Sequence, residues 1–236
     1  GMPGCGKSLC AKAAASIFEV PLLKLDMGSM MGKYVGQSEE NLRKAIKIAE
    51  AAAPCILWID EIEKAFSGVG GQNDAVLTRM FGNFLYWMQE KSSPVYVIAT
   101  ANNAESLPPE LKRKGRFDEI FCVNLPTKEE RKKIFEVHIN KLIGRECIED
   151  SATFDFEKLS SVTSGFNGAD IESVIHQTVE NCFLNDCSNI TTDALVKTAK
   201  TTLSITKSCK KQIDAMEAIF RESSFRDATT GKITNM

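Results

Sequence analysis

The first eight residues combine glycines, a lysine and a serine at a spacing that suits phosphate binding. The run Gly1-Met2-Pro3-Gly4-Cys5-Gly6-Lys7-Ser8 fits the pattern G-x-x-x-x-G-K-[ST]. Glycines let successive backbone N–H groups turn toward phosphate oxygens, at a helix N-terminus that already favours negative charge. We expect Lys7 to reach the β- and γ-phosphates of a nucleotide and Ser8 to ligate Mg²⁺. The remaining contacts of the cradle are expected from Gly1, Pro3, Gly4, Cys5, Gly6 and Leu9.

Two alternatives stay open for this loop. A glycine-rich turn before a helix could produce the same pattern by chance. Cys5 could act as a redox switch on nucleotide binding, although an unconstrained position of the motif explains it as well.

An acidic pair follows a short apolar run further along the chain. Cys55-Ile56-Leu57-Trp58-Ile59 ends in Asp60-Glu61. Nucleotide hydrolysis requires a carboxylate near Mg²⁺ and a group that orients the attacking water. Because side chains alternate along a strand, the two acids point to different places. We therefore expect Asp60 to face the metal and Glu61 to face the water. Acids that merely cap a strand at the surface are the alternative.

A neutral amide follows a second apolar run. Residues 95–100 lead into Ala101-Asn102-Asn103. An amide beside the last phosphate can hydrogen-bond the attacking water, and Asn102 is the candidate. A turn-forming asparagine after a strand is the alternative.

A basic segment follows next, Leu111-Lys112-Arg113-Lys114-Gly115-Arg116-Phe117-Asp118. It has three interpretations: a solvated surface, a nucleic-acid contact, or arginines that reach across a subunit boundary to neutralise a transition-state phosphate.

The elements that must position these groups are predicted from apolar patterns. Strands are predicted at 21–25, 55–59, 95–100 and 120–123, and helices at 9–19, 39–53 and 75–90. Alternating strands and helices favour an α/β fold with a parallel sheet covered on both faces. After Pro126 only helices are predicted, at 128–143, 155–160, 168–185, 191–203 and 207–222. We expect a large α/β domain over 1–126, a small helical domain over 127–222 and a flexible polar tail over 223–236.

Composition narrows the class of protein. The 29 basic and 31 acidic residues give a formal charge of −2, which argues against a general affinity for nucleic acid or anionic membranes. The eight cysteines show neither a C-x-x-C pair nor a metal-ligand spacing with histidine, so buried free thiols in a reducing, cytoplasmic compartment are expected. No apolar run reaches the roughly 18 residues that would suggest a membrane span.

Taken together, the motifs resemble the AAA ATPases of the AAA+ superfamily. The run from Val97 to Asp118 is similar to the second region of homology of that family, and the resemblance extends over nearly all of residues 1–222. Trp58 before the acid pair and Ala-Thr-Ala-Asn-Asn at 99–103 look most like a poorly characterised bacterial and plastid-encoded branch. The resemblance implies a P-loop fold with a three-layer parallel sheet and a helical lid, ATP and Mg²⁺ as ligands, and ATP hydrolysis.

The resemblance also implies roles for individual residues. Asn102 takes the sensor position, and Arg113 and Arg116 take the two arginine-finger positions, with Arg116 as the main finger. His138 matches a histidine near the ribose and adenine, where a satisfied helix histidine would otherwise be the simpler interpretation. Gly168 and Ala169 match a helix start whose backbone packs on adenine.

A ring is implied as well. Lys33-Tyr34-Val35-Gly36 matches the loop that projects an aromatic residue into the central pore of hexameric members, although a surface tyrosine in a glycine-rich loop would read the same. A homo-hexamer with fingers acting in trans and a protein substrate are therefore expected. No arginine begins the helix after Asn167, so the sensor-2 arginine of the wider superfamily is missing.

The sequence begins at Gly1, inside a functional motif. We therefore expect the central strand of the fold, which feeds this loop, to lie upstream of the sequence, and its sheet neighbours to lack those backbone partners.

Three functions remain in competition. ATP-driven remodelling of a protein or complex accounts for all of the motifs. A nucleic-acid-associated loader or regulator is supported only by the basic segment, and the motor of an ATP-dependent protease lacks any protease motif in this sequence. The lack of an Asn-Lys-x-Asp guanine-binding motif argues against a GTPase.

Overall fold

The structure is a computed structural model that describes residues 1–26, 37–66, 75–113, 115–142, 154–185, 189–222 and 225–233. The expected pore-loop residues Lys33, Tyr34, Val35 and Gly36 lie outside this described part. The chain forms two compact units. The first unit contains Gly1, Gly6–Cys122 and the described residues from Ile219 onward, and the second contains Met2–Cys5 and Val123–Ala218.

The first unit is built around a parallel sheet. Its elements in chain order are α1 (Lys7–Phe18), β1 (Leu22–Leu25), α2 (Gln37–Ala51), β2 (Cys55–Ile59), α3 (Ile62–Phe66), α4 (Ala75–Glu90), β3 (Val95–Ala99), a 3-10 helix (Pro109–Lys112) and β4 (Phe121–Cys122). The strands β1, β2 and β3 pair in that order, all parallel. The α/β class with parallel strands is therefore confirmed.

The central strand β2 is buried on both faces, because its residues alternate between two helical layers. Cys55, Leu57 and Ile59 join a core cluster with residues of α2, α3 and α4. Ile56 and Trp58 point to the opposite face, where α1 contacts β2. All five residues of β2 are buried. A continuous apolar run is what a strand covered on both faces requires, and it places the polar residues that follow at the edge of the sheet.

The second unit is helical. It contains α5 (Lys128–Leu142), α6 (Phe156–Val162), α7 (Gly168–Leu184), α8 (Thr192–Thr201) and α9 (Ile205–Ser208), and the chain continues in α10 (Lys210–Glu222). Fully buried residues of α5 to α8 form its core, including Phe135, Ile139, Leu159, Ile171 and Leu195. Side chains of Asp155, Asn167 and Thr191 cap the N-termini of α6, α7 and α8.

Two expectations differ from the structure near the C-terminus. The single helix expected over 207–222 is instead α9 and α10, separated at Cys209. The segment expected to be a flexible tail contains β5 (Arg226–Asp227), which pairs in parallel with β4. An ion pair of 2.7 Å between Arg226 Nε and Glu119 Oε2 accompanies this pairing. Charged residues such as these carry little strand propensity, so no local pattern predicted β5.

None of the helices in the described part of the chain combines the length and the apolar character that a bilayer crossing requires.

Candidate active site

The carboxylate of Asp60 lies at the end of β2 and is the centre of a polar group in the first unit. Its Oδ1 accepts hydrogen bonds from Ser8 Oγ at 3.0 Å and from Thr100 Oγ1 at 2.6 Å. Its Oδ2 lies 3.6 Å from Lys24 Nζ. The Lys24 ammonium also sits 4.5 Å from the centre of the Trp58 ring, so it is placed by a cation–π contact and by charge together.

These contacts determine the charge of Asp60. Burial alone would raise the pKa of Asp60, but hydrogen bonds from Thr100 and Ser8 and the positive charge of Lys24 outweigh burial and lower that pKa below its ordinary value. The carboxyl group is therefore ionised at neutral pH. A ligand for a divalent cation must be in this state.

Glu61 follows Asp60 and points elsewhere, as alternation predicts. Its Oε1 accepts a hydrogen bond from Asn102 Nδ2 at 3.0 Å, and its Oε2 pairs with Lys64 Nζ at 2.6 Å. The backbone N–H of Asn102 donates to Glu63 Oε1 at 2.9 Å, and Glu63 is only 6% exposed. The structure thus brings Asp60, Glu61 and Asn102 together at adjacent strand ends.

The glycine-rich loop enters α1 through a left-handed residue. Gly6 has φ 83°, a conformation that favours glycine, and a Cβ there would meet no atom within 4 Å. The reason for glycine at this position is therefore conformational. Lys7 Nζ donates to Gly1 O at 2.8 Å, and Gly1 N donates to Ala101 O at 2.8 Å. The start of the loop accordingly lies beside the end of β3, next to Asn102.

The middle of the loop belongs to the second unit. Asn167 Nδ2 donates to Pro3 O at 2.9 Å, and Ala169 N donates to Gly4 O at 3.3 Å. A Cβ on Gly4 would collide with the Asn167 amide, and one on Gly168 would come within 3.0 Å of Gly4 O. Pro3 and Gly4 therefore pack directly against the start of α7, where Gly168 and Ala169 were expected to bind nucleotide.

His138 lies on α5 in the second unit, and its Nδ1 is 3.7 Å from Glu172 Oε1 on α7. Burial lowers the pKa of His138, and the nearby Glu172 carboxylate only partly opposes this effect. The imidazole is therefore mainly neutral at pH 7. A neutral ring can accept or donate a hydrogen bond at a nucleotide without adding charge.

The two candidate finger arginines follow the 3-10 helix. Arg113 is exposed and ends that helix, while Arg116 Nη1 donates to Gln89 Oε1 on α4 at 2.6 Å. Within the residues that the structure describes, no hydrogen bond or ion pair joins either arginine to Asp60 or Glu61. The arginines and the carboxylates are thus separate features of this chain.

The oxygen donors fit a magnesium ion. Ser8 Oγ and Asp60 Oδ1 are hard ligands that already lie 3.0 Å apart. Over the described ranges, no cluster of three or more His, Cys, Asp and Glu side chains could hold a metal by itself. Mg²⁺ suits such a sparse site, because it usually takes one or two protein carboxylates and completes its shell with phosphate and water oxygens.

Several residues of this group were not predicted from the sequence. Thr100, Lys24, Glu63 and Gln89 contact the predicted site residues Asp60, Asn102 and Arg116 directly. Thr100 carried the clearest signal, since it is a polar residue at the end of an apolar strand and lies two positions before Asn102.

Comparison with known proteins agrees with the motifs. The sequence model of "ATPase family associated with various cellular activities (AAA)" matches residues 1–125, more than half of the chain. The chain is 45% identical to the "Uncharacterized AAA domain-containing protein ycf46" of Guillardia theta over 218 residues, which are 92% of this chain and 42% of that protein. It is 42% identical to the protein of the same name in Pyropia yezoensis, over 97% of this chain and 46% of the relative.

A more distant match is the "Cell division cycle protein 48 homolog" of Archaeoglobus fulgidus, 36% identical over 74% of this chain and 23% of the relative. The chain thus spans less than half the length of these relatives. The expected likeness to a poorly characterised plastid branch is confirmed by the ycf46 matches.

Proposed function

Because the chain belongs to the AAA family of ATPases, we propose that it binds ATP with Mg²⁺ and hydrolyses it at the group formed by Ser8, Asp60, Glu61 and Asn102. One observation carries this proposal. Side chains from three distant parts of the sequence lie together at this site. Asp60 Oδ1 accepts hydrogen bonds from Ser8 Oγ at 3.0 Å and from Thr100 Oγ1 at 2.6 Å. Beside it, Asn102 Nδ2 donates to Glu61 Oε1 at 3.0 Å.

Each residue of the group has a distinct role in this proposal. Ser8 and Asp60 hold Mg²⁺, which neutralises charge on the phosphates when it is bound. Glu61 orients the attacking water and accepts its proton, and Asn102 holds the Glu61 carboxylate in place through the 3.0 Å hydrogen bond. Because Glu61 Oε2 pairs with Lys64, the other carboxylate oxygen, Oε1, together with its partner Asn102 can face a substrate.

Nucleotide binding is assigned to the loop and to the start of α7. Lys7 and the backbone of Gly1 to Leu9 contact the phosphates, and His138, Gly168 and Ala169 contact the base and ribose. The packing of Pro3 and Gly4 against Asn167 and Ala169 within the second unit supports the assignment of Gly168 and Ala169, because these loop residues contact the start of α7. We further propose that residues 1–126 act as the large nucleotide-binding subdomain and 127–222 as its lid.

The working form is proposed to be a homo-oligomeric ring, with six subunits as the expected number. Members of the AAA family are typically oligomeric, and Arg113 and Arg116 make no contact with the carboxylates of their own chain within the described residues. Arginines that do not serve their own site fit a role at a neighbouring subunit's site. In its own chain, Arg116 Nη1 donates to Gln89 Oε1 at 2.6 Å.

Remodelling of a protein or complex in the cytoplasm is the proposed use of hydrolysis. The glycine-rich loop, the acid pair, Asn102 and the two arginines all have a role in such a motor, which supports this use. A nucleic-acid loader is the second candidate, favoured only by the basic segment around Arg113. Stimulation of hydrolysis by DNA or RNA in a salt-sensitive manner would favour that candidate.

The proposal is tested by two substitutions in the intact protein. Lys7→Ala should abolish binding of a fluorescent ATP analogue. Glu61→Gln should retain binding and lower kcat by about 100-fold or more, because the amide cannot accept the proton of the attacking water. The exposed residues Lys133 and Glu136 provide matched controls, since Lys133→Ala and Glu136→Gln should leave both measurements unchanged. Normal turnover in the Lys7 variant would refute the proposal.

The ring is tested by mixing two inactive variants. Arg116→Ala should bind ATP and hydrolyse it poorly. A mixture of Arg116→Ala and Glu61→Gln subunits should regain partial activity, because some interfaces would combine an intact Glu61 with an intact finger. Full turnover by Arg116→Ala alone would refute a finger that acts in trans.

A further inference from the structure

Thr100 contacts four consecutive residues at the turn that follows β2. Its backbone N–H donates to Ile59 O at 2.9 Å, and its backbone O accepts from Ile62 N at 2.9 Å. Its side-chain hydroxyl donates to Asp60 Oδ1 at 2.6 Å and accepts from Glu61 N at 3.1 Å. The residue is 7% exposed, so water competes little for these bonds.

The turn that Thr100 contacts has an unfavourable backbone. Glu61 has φ 51°, in the left-handed region that side-chain-bearing residues rarely adopt. The hydrogen bond from Glu61 N to the Thr100 hydroxyl stabilises this conformation. Because the backbone at Glu61 determines where its carboxylate points, the same bond also affects the direction of that carboxylate.

A hydroxyl suits this position because it donates one hydrogen and accepts others at the same atom. The Glu61 N–H can only donate, so the hydroxyl hydrogen is directed to Asp60. Asp60 Oδ1 is thereby held toward Ser8, whose hydroxyl binds the same oxygen at 3.0 Å. One side-chain atom of Thr100 thus connects the backbone of Glu61 to the carboxylate of Asp60.

We propose that Thr100 is a positioning residue that sets the relative orientation of the Asp60 and Glu61 carboxylates for the magnesium-dependent reaction. This inference rests on the proposed ATPase function. In this proposal Thr100 acts through its hydroxyl on Asp60 and on the backbone of Glu61, and has no direct part in the reaction. Asn102, two residues further along, donates to the carboxylate of Glu61. The residues that follow β3 therefore contact both acids that follow β2.

Three substitutions at Thr100 in the intact protein separate the hydroxyl from the shape of the side chain. Thr100→Val keeps the branched shape and removes the hydroxyl, and Thr100→Ser keeps the hydroxyl and removes the methyl group. Thr100→Cys compares a weak thiol donor with the serine hydroxyl at nearly equal size. Thr178→Val in the second unit is the matched control, because Thr178 is 2% exposed and its hydroxyl also donates within the fold.

The readouts are kcat and KM, the Mg²⁺ concentration for half-maximal binding of a fluorescent ATP analogue, and unfolding in urea. Thr100→Val should lower kcat by about 10- to 100-fold and raise the half-saturating Mg²⁺ concentration by about tenfold, the range found when partners of metal ligands are removed. Binding of the analogue in EDTA should stay unchanged. Thr100→Ser should remain near wild type, and Thr178→Val should lose stability while it keeps kcat.

The outcomes are distinct from those of the ATPase test. Wild-type protein is measured first, and an absence of hydrolysis there would refute the proposed function. If the wild type hydrolyses ATP and folded Thr100→Val matches it in kcat and in Mg²⁺ dependence, positioning by Thr100 is refuted. An equal loss in Thr100→Ser and Thr100→Val would also refute it, because the methyl group would then be responsible. If Thr100→Val does not fold, Thr100→Cys takes its place. A folded Thr100→Cys that matches Thr100→Ser in kcat and in Mg²⁺ dependence would then refute positioning by Thr100.

Discussion

Asn167 offers a direct test of how the glycine-rich loop is held in the second unit. Its Oδ1 accepts from Asp170 N at 2.7 Å and caps α7, while its Nδ2 donates to Pro3 O at 2.9 Å. The side chain is 3% exposed, so both bonds are shielded from water. Asn167→Ser keeps a capping oxygen but is too short to reach Pro3, and Asn167→Ala removes both bonds.

The expected losses of stability follow from these contacts. Removing an N-cap side chain costs about 1 kcal/mol, and losing a neutral hydrogen bond to a buried carbonyl costs about 1 kcal/mol. Asn167→Ala should therefore lower the unfolding free energy by about 2 kcal/mol, and Asn167→Ser by about 1 kcal/mol. Because Pro3 belongs to the proposed phosphate-binding loop, both variants should also weaken binding of an ATP analogue, by roughly fivefold for 1 kcal/mol.

Urea unfolding gives the total loss, and hydrogen exchange of the Asp170 amide reports the cap alone. That amide should keep its protection in Asn167→Ser and lose it in Asn167→Ala. Equal stability losses in the two variants would show that the cap contributes nothing. Wild-type stability and nucleotide affinity in Asn167→Ser would refute the role of the Pro3 contact.

Two further predictions concern the second unit. Arg131 is buried and donates to Pro126 O at 2.8 Å and to Ser160 O at 3.0 Å, so it stabilises the end of α6. Arg131→Met should therefore lower the unfolding free energy by about 2–3 kcal/mol, and Arg131→Lys should recover part of this loss. Burial holds the pKa of His138 in the folded protein below its ordinary value of 6.5. Between the pKa of the folded state and that of the unfolded state, the unfolded chain therefore binds more protons than the folded one. Unfolding free energy should therefore fall as the pH drops below about 6.5, and His138→Gln should flatten this dependence; an unchanged slope would contradict it.

The central strands were predictable from the sequence because burial on both faces leaves a continuous apolar run. Residues 55–59 show such a run, and β2 has these bounds in the structure. The meeting of Glu61 and Asn102 was also predictable, since the carboxyl ends of parallel strands share one edge of a sheet. The family resemblance supplied the reason to connect these residues with the loop at Gly1 to Ser8.

Other features carried no local signal. The pairing of β4 with β5 joins residues that are far apart in the sequence, and Arg226 and Asp227 have charged side chains that do not predict a strand. The bridging hydroxyl of Thr100 depends on the register of β2 against β3, in which Ile59 lies beside Ala99. Lys24 is placed beside Asp60 by the register of β1, which pairs Lys24 with Trp58. Contacts of this kind arise from tertiary structure and cannot be read from spacing alone.

The left-handed backbone of Glu61 has a consequence for protein engineering. A side-chain-bearing residue in this region costs about 1–2 kcal/mol relative to the right-handed region, whereas glycine adopts it freely. Selection for a robust fold alone would favour glycine after Asp60. A thermostability screen that ignores turnover should therefore enrich Glu61→Gly. That variant should be more stable than the wild type and should lose the hydrolysis proposed for Glu61.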